Sequence, residues 1–431
     1  MRSVVLPIHE RLRGRRTMPW YETLRRHESW DPEQLRTFQQ EKLSALLDHC
    51  VKNVPFYRKH RGASTLEAFP VLERDAIREH LEDMVADDYR GRVLRYSTGG
   101  STGHPLVFYT DRDKEAWHNA HKLRCRAWHG VLPGARQADL WGSPIELSKQ
   151  SRVRMWKDRR LLNQILLSAF DLTDARLERY LRFLAAFQPR LIYGYPTVIY
   201  RLALYAREHA HVLGAWRPRV VACTSEMLYD HHRAVIKEVF GCPVVNEYGS
   251  RDGGLIAHEC PAGELHLAAE HVIVEVHEPD EQGVGDLLVT NLDAYGMPLV
   301  RYRLGDRGSL REGRCACGLP LPLMGTVAGR SNDMLVGAGG RMIHSLAPIY
   351  VLREMAGIRQ FKLTQRADLS LLIEVVPVRA LSSREEQHIR TSLSKMFGFE
   401  VPTTITTVSA IPPEKSGKYR WVVSQARATD Q

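Results

Sequence analysis

Apolar positions along the chain follow two spacings in turn, and the switches between them divide it into regions. Residues 31–60, DPEQLRTFQQEKLSALLDHCVKNVPFYRKH, open with Asp31-Pro32, an N-cap followed by a proline suited to a first helical turn. Leu35, Phe38, Leu43, Leu46, Leu47 and Cys50 then recur at helical spacing, which predicts a helix ending near Pro55. Residues 111–130 and 173–188 predict two more amphipathic helices. Short apolar runs closed by glycine or proline accompany them: RLIYGYP, RVVACTSE and CPVVNEYGS. Each reads as a buried strand that hands polar residues to the loop at its carboxyl end. Helix alternating with buried strand predicts an α/β fold with parallel strands, whose ligands bind beyond those carboxyl ends.

From about residue 265 the pattern changes to LHLAAEHVIVEVHE, GDLLVTNL and MPLVRYRLGDRGSL. Alternation and turn residues predict an antiparallel sheet or small barrel-like subdomain appended to the α/β body. A second change falls at Gly329-Arg330. The last hundred residues predict a compact α+β unit: strands at FKLTQ and SLLIEVVPV, a helix over 383–397, a closing strand TTITTVSAI and a polar tail. The expected division is a large N-terminal domain, 1–329, and a small mobile C-terminal domain, 330–431.

With 431 residues the chain can bury more than one core. A formal net charge of +10 suits anionic ligands. The arginines are spread out, with no aromatic-interleaved basic module or helix-turn-helix pattern, which argues against nucleic acid. No run of 18 apolar residues predicts a membrane span, and MRSVVLPIHERLRGRR has too short an apolar stretch for a signal peptide. A cytoplasmic protein is expected. Seven cysteines, an odd number, argue against a disulfide framework there.

The stretch YSTGGSTGHPLVFY, residues 96–109, sets three glycines and four hydroxyls between apolar flanks. Glycine lets backbone approach a ligand closely, and successive amides form a nest for anions, so phosphate is the expected ligand. HECPAGELH (258–266) and CACG (315–318) supply His258, Cys260, His266, Cys315 and Cys317. Cys-x-Cys offers two thiolates from one turn, and a second pair of ligands would complete a tetrahedral zinc. Four protein ligands make such a metal structural. Trp141, Ser143, Tyr193 and Tyr195 stand at strand ends near these motifs and are the candidate lining of a substrate pocket.

Several widely spaced pieces together resemble one family. TGGSTGHP (98–105) resembles the phosphate loop of the adenylate-forming enzymes, and NEYGSRDGG (246–254) their adenine-and-magnesium motif. YRLGD (302–306) is similar to their ribose motif, GRSNDML (329–335) to their hinge, and SGKYR (416–420) to the segment with their catalytic lysine. The branch of phenylacetate–CoA ligases and CapK-like proteins also shares QQEKLSALLDHCVKNVPFYR and YGYPT.

The resemblance implies an ATP-dependent, AMP-forming ligase that activates a small carboxylic acid as acyl-AMP and passes it to CoA. It implies that Thr98, Gly99, Gly100, Ser101, Thr102 and Gly103 grip the phosphates, with His104 where the family has lysine. Tyr248, flanked by Gly249 and Ser250, would stack on adenine. Asp252 would hold Mg2+, Asp306 the ribose hydroxyls, and Arg330 the ribose or phosphate. Lys418 would stabilise the transition state after the C-terminal domain turns about Asn332, where the family commonly has aspartate. The resemblance favours Cys260, His266, Cys315 and Cys317 as zinc ligands, with His258 competing. Two other outcomes stay open: transfer to an amine or carrier protein, and a low-turnover nucleotide-binding protein of polysaccharide assembly.

Overall fold

A computed structural model describes residues 5–98, 106–141, 152–169, 172–330, 334–340, 342–344, 346–353, 355–412 and 420–426. They fall into two compact units, one mainly of residues 5–304 with 308–327, the other mainly of residues 328–412 with 420–426.

Helices α1 (Val5–Leu12) and α2 (Thr17–His27) precede α3 (Pro32–Asn53). Asp31 caps α3 by accepting from the Glu33 and Gln34 amides, and the Gln34 side chain returns to the Asp31 amide. That capping box starts the helix where the sequence predicts it. The helix stops at Asn53, two residues before Pro55. Leu46, Leu47 and Cys50 on its inner face enter the largest apolar core. Polar side chains of α3 also reach the sheet. Gln39 Nε2 donates to the carbonyls of Ala269 (2.8 Å) and Val272 (3.2 Å), and Lys42 Nζ to that of Glu270 (2.6 Å) and to Asp293 Oδ1 (2.5 Å).

After α4 (Arg74–Glu79), strands β1 (Leu94–Ser97) and β2 (Val107–Thr110) form an antiparallel hairpin, Leu94 opposite Thr110 and Ser97 opposite Val107. Helix α5 (Arg112–Trp128) follows, capped by the Asp111 carboxylate on the Lys114 amide. Next come β3 (Gln137–Trp141), β4 (Gln164–Ser168), β5 (Leu191–Gly194), β6 (Val220–Thr224) and β7 (Val244–Ser250). They pair in parallel in the order β4-β3-β5-β6-β7. One face, with Ile192 and Val221, is covered by the helices Asp174–Phe187, Pro196–Glu208 and Asp230–Phe240 through residues such as Leu184, Leu202 and Phe240.

The antiparallel strands expected after residue 265 begin one strand earlier and continue the same sheet. β8 (Gly254–Glu259) pairs antiparallel with β7, and β9 (Leu265–Leu267) with β8. β10 (Val272–His277), β11 (Gly285–Asn291), β12 (Tyr302–Arg311) and β13 (Leu323–Arg330) complete it. Among the described residues it has 11 strands in the order β10-β11-β12-β13-β9-β8-β7-β6-β5-β3-β4.

In the second unit, β14 (Met334–Val336) pairs with β15 (Met342–His344). β16 (Ile358–Gln365), β17 (Leu371–Pro377), β18 (Thr403–Thr407) and β19 (Val422–Ser424) form a sheet in the order β18-β17-β16-β19. The helix Ser383–Phe397 has a capping box at Ser382 and Glu385 and ends at Gly398, φ 79°. Gln365, fully buried, clasps Val336 by accepting from its amide and donating to its carbonyl, both at 2.8 Å. No helix of the described residues is long and apolar enough to cross a membrane.

Candidate functional site

Side-chain hydrogen bonds tie the neck of the glycine-rich loop, residues 246–254 at the end of β7 and residues 302–306 on β12 together. Thr98 closes the neck of the glycine-rich loop: its amide donates to Leu106 O, and its Oγ1 accepts from the Leu106 amide, both at 2.9 Å. Arg251 Nη1 donates to Ser97 O at 3.0 Å, which links residues 246–254 to that neck.

The β7–β8 turn is tight because of its glycines. A Cβ on Gly249 would lie 2.5 Å from Gly254 O, and a β-bulge falls between Tyr248 and Gly249. Ser250 Oγ accepts from the Gly253 amide at 2.8 Å. Asp252, 2% exposed, accepts from the Tyr302 hydroxyl at 2.7 Å, and Tyr302 accepts from Arg74 Nε at 3.0 Å. Burial would raise the Asp252 pKa, but hydrogen bonds from Ser250 and Tyr302, with Arg74 nearby, hold it below the ordinary value. Lys114 Nζ donates to Asp252 O at 2.9 Å. The expected adenine and ribose motifs are therefore joined by the Asp252–Tyr302 hydrogen bond. Asp306 lies partly exposed on β12.

Among the aromatic residues expected to line a pocket, Trp141 stacks on Tyr193 (ring centroids 5.8 Å apart) and leans on Tyr195 (4.5 Å). Tyr195 sits in the apolar core with Val198 and Ile199, so packing accounts for it. Tyr193 belongs to a polar cluster absent from the sequence reading. Its hydroxyl donates to Glu247 Oε1 and accepts from Lys122 Nζ, both at 2.7 Å. Lys122 lies 3.3 Å from Glu247. Arg126, above the Tyr193 ring, donates to Gln137 Oε1 at 2.9 Å. Burial opposes charge on Glu247, but Lys122, with His258 and Arg126, brings its pKa down to about 2. The signal was available: His118, Lys122 and Arg126 recur every four residues and so share one face of α5.

The cysteine–histidine cluster forms at the edge of the β8–β9 hairpin. Cys260 follows β8, His266 lies on β9, and Cys315 and Cys317 come from the β12–β13 connection. Their ligand atoms all lie within 4.8 Å of one another. Cys260 Sγ is 3.6 Å from Cys315 Sγ, and Cys317 Sγ is 3.2 Å from His266 Nε2. His266 Nδ1 lies 2.9 Å from Leu321 O, so Nδ1 carries the proton and Nε2 keeps its lone pair toward the thiols. His258, the competing ligand, falls outside the cluster. Its Nδ1 is occupied by Glu259 O at 2.9 Å, and its Nε2 faces Glu247 Oε2 at 3.9 Å.

Residues 335–425 match the CapK C-terminal domain family. Over 96% of its length the chain is 25% identical to Protein CapK of Staphylococcus aureus, covering 94% of that protein. It is also 25% identical to a phenylacetate-coenzyme A ligase of Thermus thermophilus, over 86% of this chain and 84% of that one. Its fold is similar to that of 2-hydroxyisobutyryl-CoA ligase in the postadenylation state, with a TM-score of 0.72 at 19% identity, covering 93% of this chain and 91% of that one. Along most of its length the chain is therefore similar to the CapK protein and to phenylacetate–CoA ligases. Of the residues singled out in the sequence, Thr98, Tyr248, Gly249, Ser250 and Asp252 stand on the segments just described. Arg330 ends β13. Gly99, Gly100, Ser101, Thr102, Gly103, His104, Ser143, Asn332 and Lys418 lie outside the described residues.

Proposed function

We propose that this chain is an AMP-forming acyl-CoA ligase. The observation that carries the reading is the hydrogen bond from Tyr302 to Asp252, with Arg251 on Ser97, which together tie three nucleotide-type motifs into one network. An acid's carboxylate oxygen attacks the α-phosphorus of ATP. The new O–P bond forms as the bond to the β-phosphate breaks, and pyrophosphate leaves. The CoA thiol then attacks the acyl carbon, the C–S bond forms, and AMP departs with the oxygen. Both steps join or separate anions, so the protein's work is shielding charge and holding geometry.

The loop of residues 98–104 takes the phosphates, and Tyr248 takes the adenine. Asp306 and Arg330 take the ribose and its phosphate. Asp252 is anionic and an oxygen donor, and would hold Mg2+, which would shield the charge of the phosphates. Lys418 supplies the charge for adenylation from a C-terminal domain, 330–431, that turns at Asn332. Free cysteines throughout fit a cytoplasmic setting.

ATP–pyrophosphate exchange across aryl, fatty and hydroxy acids tests the activity. Lys418→Ala should lower exchange by at least about 10²-fold, the scale of one preorganised charge. Thioester formation from supplied acyl-AMP should persist. Exchange with no acid at all would leave a non-catalytic nucleotide-binding role. Hydroxylamine trapping without CoA turnover would assign an amine or carrier acceptor.

We also infer that Cys260, His266, Cys315 and Cys317 hold a structural Zn2+. Three soft thiolates and one imidazole with its tautomer fixed form a donor set that suits that ion. Purified protein should contain about one zinc per chain. Cys315→Ser with Cys317→Ser should remove it and lower stability, because binding a structural metal contributes directly to folding. Elemental analysis showing no metal after chelator-free purification overturns the assignment.

A further inference from the structure

Arg136, Arg190 and Arg219 each stand one residue before a strand of the parallel sheet, and register makes them neighbours. Gln137 pairs with Leu191, and Leu191 with Val220. The three arginines thus occupy equivalent places on adjacent strands, spaced by about 4.8 Å from strand to strand. Backbone bonds reach one step beyond the ladder. The Arg190 amide donates to Arg136 O and the Arg219 amide to Arg190 O, both at 2.8 Å. Arg217 joins from the segment leading into β6.

These four arginines line a groove of about 470 Å³ whose floor includes Trp216 and Pro189. That volume is within the range of small-molecule sites. The floor is firm: Trp216 is 8% exposed, and its indole Nε1 donates to Pro189 O at 3.2 Å. Two guanidinium groups are held in place, Arg136 by Phe187 O (2.7 Å) and Arg217 by Gly214 O (2.9 Å) and Trp216 O (2.7 Å). Each keeps further N–H groups for a ligand. Arg190 and Arg219 make no side-chain hydrogen bond to the protein among the described residues. No carboxylate lines the groove.

Like charges side by side on neighbouring strands repel. Here four are gathered with no internal anion, on a concave and rigid base. Guanidinium groups bind phosphate in paired, planar fashion. We propose that this groove binds a phosphate-rich small molecule, one bearing a di- or triphosphate group, at the end of the strands opposite the nucleotide motifs. Its concavity suits a compact ligand better than the flat plane of a membrane.

Inorganic tripolyphosphate is the probe, added to the full chain at about 0.15 M salt, where weak surface pairing is screened. Hydrogen exchange should slow in residues 187–191 and 214–220, and calorimetry should show binding. Arg190→Gln with Arg219→Gln should weaken that binding by about tenfold or more, the scale of losing charge-assisted hydrogen bonds. ATP–pyrophosphate exchange should stay unchanged. Arg190→Gln alone, expected to give a smaller loss, serves if the double variant does not fold. Protection confined to residues 96–110, equal affinity in the variants, or the same effect from sulfate at equal ionic strength each overturns the proposal. So does variant-sensitive binding to phosphatidylglycerol vesicles without tripolyphosphate binding, which would assign the groove to a lipid surface.

Discussion

The two ends of the parallel strands treat charge in opposite ways. Toward the carboxyl ends, buried charged groups are paired within the protein. Lys122 meets Glu247 and Tyr193, Lys114 meets Asp252 O, and Arg251 meets Ser97 O. At the amino ends four exposed arginines share a groove with no carboxylate. The difference follows from solvent. A charge inside the protein must be compensated within it, because desolvation costs several kcal/mol per ion. An exposed guanidinium keeps its water until a ligand replaces it, at little cost to the fold. At the first end charge is paired within the fold; at the second, Arg136 and Arg217 rest on backbone carbonyls, and Arg190 and Arg219 are left to a ligand.

Removing an internal partner is the strongest way to break this contrast. Glu247→Ala should destabilise the chain by about 3 kcal/mol, at the low end for a broken buried pair because Lys122 retains some solvent contact. Urea unfolding measures it, and a loss under about 0.5 kcal/mol, the range of ordinary surface changes, would refute internal compensation. The same group gives a pH signature. Its folded pKa, about 2, lies below the ordinary 4.5, so its stabilisation is present above pH 4.5 and is lost as pH falls through about 2. The stability gap between wild type and Glu247→Gln should close over that window.

Tyr302→Phe should have the next largest effect. Asp252 would lose a hydrogen bond to a buried carboxylate, costing about 1.5–3 kcal/mol. The Asp252 pKa should rise with that loss, and the acid limb of unfolding should move up accordingly. At the other end, Arg190→Gln with Arg219→Gln should change stability by no more than about 0.5 kcal/mol. A loss comparable to that of Glu247→Ala would mean these arginines serve the fold and would erase the contrast.

The two ends also differ in how far the sequence discloses them. Tyr248 and Gly249 stood out through the resemblance of NEYGSRDGG to a family motif, and the structure adds that a Cβ on Gly249 would lie 2.5 Å from Gly254 O. Cys260, His266, Cys315 and Cys317 were legible because thiols and imidazoles are scarce and closely spaced in two short clusters. Choosing between His266 and His258 needed the hydrogen bonds that orient each ring. Lys122 and Arg126 are polar positions of the helix predicted over 111–130, and α5 turns them toward Tyr193 and Gln137. The arginine groove was invisible for a different reason. Arg136, Arg190 and Arg219 become neighbours only through strand register, which no local pattern encodes.

Helix α3 has a consequence in time. Lys42 emerges from the ribosome 251 residues before Asp293, the carboxylate it pairs with. At about 5–20 residues per second, synthesis leaves the helix without that partner for about 13–50 s. Gln39 waits nearly as long for Ala269 and Val272. During that interval the capping box at Asp31 can start the helix, and Leu46 and Leu47 can pack with Tyr57, Leu66 and Phe69, which follow closely in the chain. The polar bonds from α3 to the sheet therefore close late, the last of them only after residue 293 has left the tunnel.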